Sequence, residues 1–383
     1  MVLASIEVER TASVAPESAT GPEGTMTVSE TERTAMRRAL ELAAGPDVPL
    51  GPNPRVGCVV LDAAGHTVAE GYHRGAGSPH AEVEALVRAG SEARGATVVV
   101  TLEPCNHTGR TGPCAQALVS AGVRRVVLAQ RDLNPVAVGG AETLRAAGVE
   151  VETGVLAAEA RELNRVWTFA VEHARPFVTW KVATTLDGRV AATDGSSRWV
   201  SSPASRLDTH ALRSICDTML VGSGTVAIDD PHLTARDAAG RLLSRQPLRA
   251  VMGERDLDPG RRVFDDAAET VHLRTREPET ALKQLFARDR QHVLLEGGPT
   301  LAAAFVAAGL VDEVVAYLAP MLLGTGRAAI GELGITSISD ALHLPVTDVV
   351  VLDALNAGDD VNVRITMSRP SSTVEPAQPE GNA

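Results

Sequence analysis

From Arg55 onward, short blocks of apolar residues alternate with turn residues. RVGCVVLD, a turn at Ala64-Gly65-His66, and TVAEGYH read as the two strands of a hairpin. Ser78-Pro79 then offers an N-cap and a first helical residue to HAEVEALVRAG, a segment that Gly95 ends. The β-branched run ATVVVT has no polar face, which predicts a strand covered on both sides. CAQALVSAG (helix), RRVVLAQ (buried strand), GGAETLRAAG (helix) and VEVETGVL (strand) follow. Ahead of the hairpin, Ser29-Glu-Thr-Glu32 has the spacing of a capping box opening the amphipathic AMRRALELAA. Strands alternating with short helices predict βαβ units and a largely parallel sheet.

The pattern restarts at Arg175-Pro176. FVTWKVATT reads as a strand, and Ser202-Pro203 opens the helix ASRLDTHALRSIC. Strands are expected at DTMLVGS, LRAVMG, HVLLEGG, VDEVVAYLAP, TDVVVLDA and NVRITMS, with helices near 278–288 and at PTLAAAFVAAG. The chain of 383 residues is therefore divided into an expected disordered tail at 1–27, a domain at 28–172, a second at 175–368 and a second tail at 369–383. The tails are rich in Ser, Thr, Pro, Glu and Gly and show no period.

Composition narrows the function. Acidic residues outnumber basic ones 48 to 36, a net charge of −12, and only five Phe, three Trp and two Tyr are present. Phosphate backbones need clustered cations and single strands need stacking rings, so a nucleic-acid partner is not expected. No run approaches the roughly 20 apolar residues that cross a bilayer, and the acidic N-terminus is unlike a secretory signal. A cytoplasmic protein is the expectation, with a homo-oligomer left open. In a reducing compartment four cysteines are candidates for metal or catalysis, and Cys58 and Cys216 sit in apolar runs as core.

The other two cysteines carry chemistry. SPHAEVEAL places His80 and Glu82 in the first turn of a helix, and TLEPCNHTGRTGPC places Cys105 at a strand end and Cys114 at a helix start. One imidazole and two thiolates suit Zn²⁺, and three protein ligands leave a fourth position for water. Glu82 is then the catalytic proton shuttle for hydrolytic loss of an amine as ammonia. The pattern H-x-E followed by P-C is that of the zinc nucleobase deaminases, with eight residues instead of two between the cysteines. A nucleic-acid (tRNA) or nucleotide deaminase with an accessory domain, and a structural-zinc interaction module, are the alternatives. Net charge opposes the first, and a ligand count of three opposes the second.

The second domain lacks a G-x-G-x-x-G after a strand, so a dinucleotide Rossmann reading fails. HVLLEGGPTLAAAF instead runs strand, Gly297-Gly298, helix, exposing backbone N–H groups to an anion. In VGSGTVAIDDPHLTAR, Thr225, Asp229, Asp230 and Arg236 have no evident structural duty.

GPNPRVGCVV, the insert NHTGRTGP and RDLNP resemble the pyrimidine deaminases of riboflavin biosynthesis. WKVATTLDGRVA, SSRWVSS, GSGTVAIDDPHLTAR and EGGPTLAAAF resemble, in order, the reductase commonly fused to them. The resemblance spans about residues 29–368 and departs at Leu133, where the family usually has Pro. It implies an α/β architecture: an N-terminal cytidine-deaminase-like αβα domain and a C-terminal dihydrofolate-reductase-like αβ domain. It implies Zn²⁺ and NADPH as cofactors and small pyrimidine ribose phosphates as substrates. By position, it implies NADPH contacts at Ala183, Trp199, Thr225, Asp229, Gly298, Pro299 and Thr300. It implies substrate contacts at Ser197, Arg213, Leu233, Arg236 and Glu296 in the reductase, and at Asn53, His107 and Arg110, with Thr111 nearby, in the deaminase. Arg213 and Arg236 fit a phosphate clamp by their fork geometry, and Lys181 is a candidate for the sugar hydroxyls or proton delivery.

Overall fold

The Ser29 side chain accepts the Glu32 N–H while the Glu32 carboxylate accepts the Ser29 N–H at 2.8 Å, so the capping box closes and starts α1 (Glu30–Ala43). The structure, a computed structural model, describes residues 28–46, 48, 50–107, 112–354 and 360–369. The expected tails, apart from Arg369, lie outside the described residues, as do Arg110 and Thr111.

After α1 come β1 (Gly57–Leu61), β2 (Thr67–Tyr72), α2 (Ala81–Ala89), β3 (Thr97–Leu102), α3 (Cys114–Ala121), β4 (Arg125–Gln130), α4 (Gly140–Ala146), β5 (Glu150–Thr153), α5 (Ala157–Leu163) and α6 (Arg165–His173). The sheet order is β2-β1-β3-β4-β5. Strand β1 is antiparallel to β2 and β3, and only β3, β4 and β5 run parallel, so the expected largely parallel sheet is half antiparallel. A tight hairpin can join only antiparallel strands, which fixes that half. Alternate strand residues serve opposite layers. Val98 and Val100 pack with Ala85, Leu118 and Leu144, whereas Val99 packs with Met36, Ala39 and Ala160.

Two boundaries differ from expectation. Helix α2 begins at Ala81 with His80 as its extended N-cap, two residues later than Ser78-Pro79 predicts. The Pro79 carbonyl is taken by His73 Nδ1 at 3.1 Å and Ser78 Oγ donates to Gly75 O, so neither residue is free to open a helix. The strand expected at VEVETGVL stops at Thr153, because Gly154 at φ 89° turns the chain into α5.

The second domain runs β6 (Phe177–Thr185), β7 (Arg189–Ala191), α7 (Pro203–Ile215), β8 (Thr218–Gly222), α8 (Ser223–Asp229), β9 (Leu248–Met252), β10 (Thr270–Leu273), α9 (Pro278–Phe286), β11 (His292–Leu295), α10 (Pro299–Ala307), β12 (Glu313–Ala319), β13 (Arg327–Ala328), β14 (Val346–Leu352) and β15 (Asn362–Ser368). Its main sheet is ordered β10-β9-β8-β11-β6-β12-β15-β14, parallel from β10 to β12 and antiparallel at the β15-β14 end. The chain leaves β8 toward β9 on one side and leaves β11 toward β12 on the other. Two adjacent parallel strands whose connections diverge open a crevice at their carboxyl ends, the place where α/β sheets bind ligands. Among the described residues no helix is long and apolar enough to cross a membrane.

Candidate metal centre and cofactor cleft

Strand β3 delivers Glu103-Pro104-Cys105 to the point where α2 and α3 begin. His80 Nδ1 lies 3.2 Å from Cys114 Sγ and 3.5 Å from Cys105 Sγ, and the Cys114 N–H points at Cys105 Sγ at 3.4 Å. Zinc bonds of about 2.3 Å to sulfur and about 2.0 Å to nitrogen at a tetrahedral angle would set an N···S edge of about 3.5 Å. The donor set and its spacing therefore fit zinc. Charge points the same way. The Cys114 thiol, the Cys114 N–H and His80 pull the Cys105 thiol down, whereas Cys105, burial and nearby Glu82 push Cys114 up. A cation at their shared focus would let both be thiolates.

Glu82, 3% exposed in the first turn of α2, completes the group, and burial pushes its carboxyl up to about 7. His80, Glu82 and Cys105 wall a cavity of about 530 Å³ that also reaches Asn53, His73, His107 and Asp132. His73 Nδ1 donates to Pro79 O, so its Nε2 accepts from Asn53 Nδ2 at 2.9 Å. Asn53 is thereby oriented with its Oδ1 as the remaining acceptor. The Nδ1 of His107 is buried without a partner among the described residues.

In the second domain the switch-point crevice gathers the predicted cofactor residues. Thr225 and Asp229 ride on α8 directly after β8, Gly298, Pro299 and Thr300 start α10 after β11, and Ala183 lies on β6 beside it. Helix α10 has no side-chain cap at Gly298, so its first N–H groups stay open to an anion. A Cβ on Gly297 would fall 2.6 Å from Leu301 Cδ2, whereas one on Gly298 meets nothing within 4 Å. A side chain at 297 would therefore force Leu301 to shift, and the bare surface at 298 is free for a ligand to approach. The Trp199 ring, 61% exposed, lies under the Arg206 guanidinium at 4.5 Å.

The predicted substrate residues are brought together unevenly. Arg213 Nε and Nη2 each donate to Glu296 at 2.8 Å and Nη1 donates to Thr234 O, so this fork already grips a carboxylate. Arg213 holds the Glu296 carboxyl down at about 2 despite burial. Arg236 is held by Thr234 Oγ1 and Gly240 O and lines a separate cavity of about 450 Å³ with His210 and Asp208. Lys181 lies in the middle of β6, its ammonium 5.6 Å from the Tyr317 ring centre, and burial lowers its pKa while Glu296 opposes that. Leu233, 3% exposed at φ 51°, can offer a ligand only its backbone. Ser197 is exposed on the loop before Trp199.

The family described as "Cytidine and deoxycytidylate deaminase zinc-binding region" matches residues 29–130, and "RibD C-terminal domain" matches 176–354. A riboflavin biosynthesis protein RibD from Mycobacterium tuberculosis (strain ATCC 25618 / H37Rv) is 52% identical over 293 residues, covering 76% of this chain and 86% of that protein. The chain belongs to the RibD family. RibD of Escherichia coli (strain K12) is 40% identical over 340 residues, covering 80% of this chain and 92% of that one. A solved structure of Acinetobacter baumannii RibD matches at TM-score 0.79 and 35% identity, covering 89% of this chain and 99% of that one. RibD proteins join a zinc deaminase domain to an NADPH-dependent reductase domain in riboflavin biosynthesis, and this chain has both. Neither a nucleic-acid deaminase nor a structural-zinc module is favoured.

Sequence reasoning overlooked three residues of this RibD deaminase cavity. His73 closes β2 as a polar residue after an alternating strand, a signal that was present. Asp132, whose carboxyl burial pushes up to about 6, and Glu103, which takes the Asp132 and Ala141 N–H groups, each follow a buried strand. An acid just beyond such a strand marks the sheet's carboxyl edge.

Proposed function

We propose that this chain performs two consecutive steps, with residues 28–172 carrying the first and 175–368 the second. The first is hydrolytic deamination of 2,5-diamino-6-ribosylamino-4(3H)-pyrimidinone 5′-phosphate. The second is NADPH-dependent reduction of the ribosyl group of 5-amino-6-(5-phosphoribosylamino)uracil to ribityl. A Thermotoga maritima structure described as a diaminohydroxyphosphoribosylaminopyrimidine deaminase/5-amino-6-(5-phosphoribosylamino)uracil reductase supports this pairing, at 33% identity and TM-score 0.77 over 88% of this chain. The observation that carries the deaminase reading is the convergence of His80, Cys105 and Cys114, with His80, Cys105 and buried Glu82 on one cavity wall.

His80, Cys105 and Cys114 would hold zinc, which when bound supplies the Lewis acidity that makes water nucleophilic near neutral pH. Glu82 takes a proton from the attacking water and delivers it to the departing nitrogen, releasing ammonia. Asn53, braced by His73, orients the pyrimidine edge, and His107 and Arg110 serve the rest of the substrate. In the reductase, NADPH supplies the hydride. Ala183, Trp199, Thr225, Asp229 and the Gly298-Pro299-Thr300 turn bind it. Arg236 takes the ribose phosphate, Arg213 and Glu296 form one paired unit at the substrate, Ser197 and the Leu233 backbone complete its contacts, and Lys181 serves the sugar oxygen.

A protein of this kind works in the cytoplasm, where the two thiolate ligands stay reduced. The partner expected for it is a second copy: Val346, Val349 and Val351 on edge strand β14 are 58%, 58% and 60% exposed, an apolar strip that light scattering can test. The deciding assay supplies the diaminopyrimidine phosphate with and without NADPH. Ammonia should appear in both, and nicotinamide absorbance should fall only after deamination. Unchanged NADPH consumption in Arg236→Ala would remove the phosphate role.

A further inference from the structure

The wall of the deaminase cavity is not built by the deaminase domain alone. The turn between α9 and β11, in the reductase domain, contributes Asp289 and Gln291 to it. Gln291 is fixed from behind: its N–H donates to Asp217 Oδ2 at 2.6 Å, and its carbonyl accepts the Phe177 N–H at 2.8 Å. Its side chain crosses to the other domain, where Nε2 donates to Pro52 O at 2.8 Å. The opposite placement of the amide would set oxygen against oxygen, so the donor is the group that reaches Pro52. Gln291 Oε1 is buried with no partner among the described residues and packs against Gly51, where a Cβ would lie 3.4 Å from it.

Pro52 precedes Asn53. The segment Gly51-Pro52-Asn53-Pro54 contains two prolines, which have no N–H to give. Among the described residues its backbone makes no hydrogen bond within its own domain, and the bond from Gln291 holds it from across the interface. The next backbone anchor is Arg55, whose N–H and carbonyl are both taken by the Asn164 amide. Asn53 thus sits between a tether at Arg55 and a tether supplied by the reductase domain.

We infer that Gln291 is a positioning residue for the deaminase: the reductase domain holds the Pro52–Asn53 turn and so sets how Asn53 meets the pyrimidine. This rests on the deaminase reading above. It predicts a change in substrate binding without a change in the proton-transfer step, because Glu82 and the three metal ligands are anchored on α2, β3 and α3 and not on this turn.

The test compares Gln291→Met, which keeps length and loses the donor, with Gln291→Lys, which keeps a donor, and Gln291→Glu, which sets a carboxylate against the Pro52 carbonyl. For ammonia release, Gln291→Met should raise KM about tenfold with kcat within about twofold of wild type. Gln291→Glu should be at least as impaired, and Gln291→Lys should recover most of the loss. Zinc content and NADPH-dependent reduction of the aminouracil phosphate supplied directly should not change. KM within about twofold of wild type in Gln291→Met and Gln291→Glu would overturn the inference, as would an equal fall in the reductase reaction, which would mark a folding role. Amide hydrogen exchange of the peptide spanning residues 50–56 reads the tether without substrate and should quicken in Gln291→Met. Unchanged exchange overturns the inference even if wild type releases no ammonia, a failure that would instead fall on the deaminase reading.

Discussion

Gly140→Ala should strip the metal from this protein without touching a ligand. Gly140 opens α4 directly against the turn that carries Cys105, and a Cβ there would fall 1.8 Å from Pro104 O and 2.9 Å from Pro104 C. Even the shortest approach real Cβ atoms tolerate, 3.0 Å, is about 1.2 Å longer. Helix α4 has little room to withdraw, since Ala141 N–H is held by Glu103 Oε1 at 2.9 Å and Ala141 and Leu144 are fully buried. Part of the displacement must pass to Pro104 and so to Cys105, whereas zinc tolerates errors of only about 0.2 Å in ligand distance. Overpacking of this kind costs about 1–3 kcal/mol in stability. Misplacing one ligand should weaken zinc at least as much as losing an outer-shell partner, about 10–100-fold. Competition with a chromogenic chelator measures the affinity, and ammonia release should fall with it. Reduction of the supplied aminouracil phosphate should persist, because α4 belongs to the other domain. Wild-type zinc affinity in folded Gly140→Ala would refute the reasoning, since it would mean that the Pro104 turn does not position Cys105.

Glu82→Gln keeps the shape of the side chain and removes its proton transfer, so ammonia release should fall about 10²–10⁴-fold with zinc still bound and the reductase reaction intact. Removing zinc with a chelator should abolish ammonia release and leave NADPH oxidation on the supplied aminouracil phosphate, and re-addition should restore the first. His292 predicts a pH effect on stability. Its Nδ1 donates to Ile215 O, its Nε2 accepts from Thr179 Oγ1 at 3.0 Å, and burial lowers its pKa from 6.5 to about 4. The folded ring refuses a proton that the unfolded chain accepts below pH 6.5, so stability is lost as pH falls from there toward 4. Between pH 7 and 5 the loss is about 2 kcal/mol, and urea unfolding of wild type against His292→Gln should show that difference in slope. Equal slopes in the two proteins would sink the assignment.

Local pattern carried most of the fold and all of the metal group. ATVVVT could be placed as a buried strand because its side chains have no polar face, and Ser202-Pro203 caps α7 where expected, with Ser202 accepting the Ser205 N–H. Helices α5 and α6 were missed because Asn164 breaks their period: its amide is spent on the Arg55 backbone, 109 residues away. Register alone could not reveal that His73 braces Asn53, since the contact is made when the hairpin strand returns beside the Pro52 turn. Contacts across the two domains were invisible for the same reason, and Gln291 to Pro52 spans 239 residues. The Gly297-Gly298 pair shows the limit within a single motif. Both glycines are identical in sequence, and only packing separates the one crowded by Leu301 from the one left open to a ligand.

The same distinction applies to the two arginines that sequence treats alike. At −12 the net charge opposes an incoming phosphate, but screening confines that field to about 8–10 Å at physiological salt, so the nearest charges decide. Glu296, held at about 2, remains ionised at neutral pH and cancels Arg213 through both ends of its fork. Removing either partner strands the other charge where side chains are only 17% and 10% exposed, a change that typically costs about 3–5 kcal/mol. Loss of Arg213 would therefore register first as instability. Arg236 has only neutral partners in Thr234 and the Gly240 carbonyl, and Lys181 lies where Glu296 is already claimed by Arg213. Arg236 and Lys181 thus have no ion pair of their own among the described residues, which makes Arg236, more than Arg213, the side chain on which the proposed phosphate contact is to be tested.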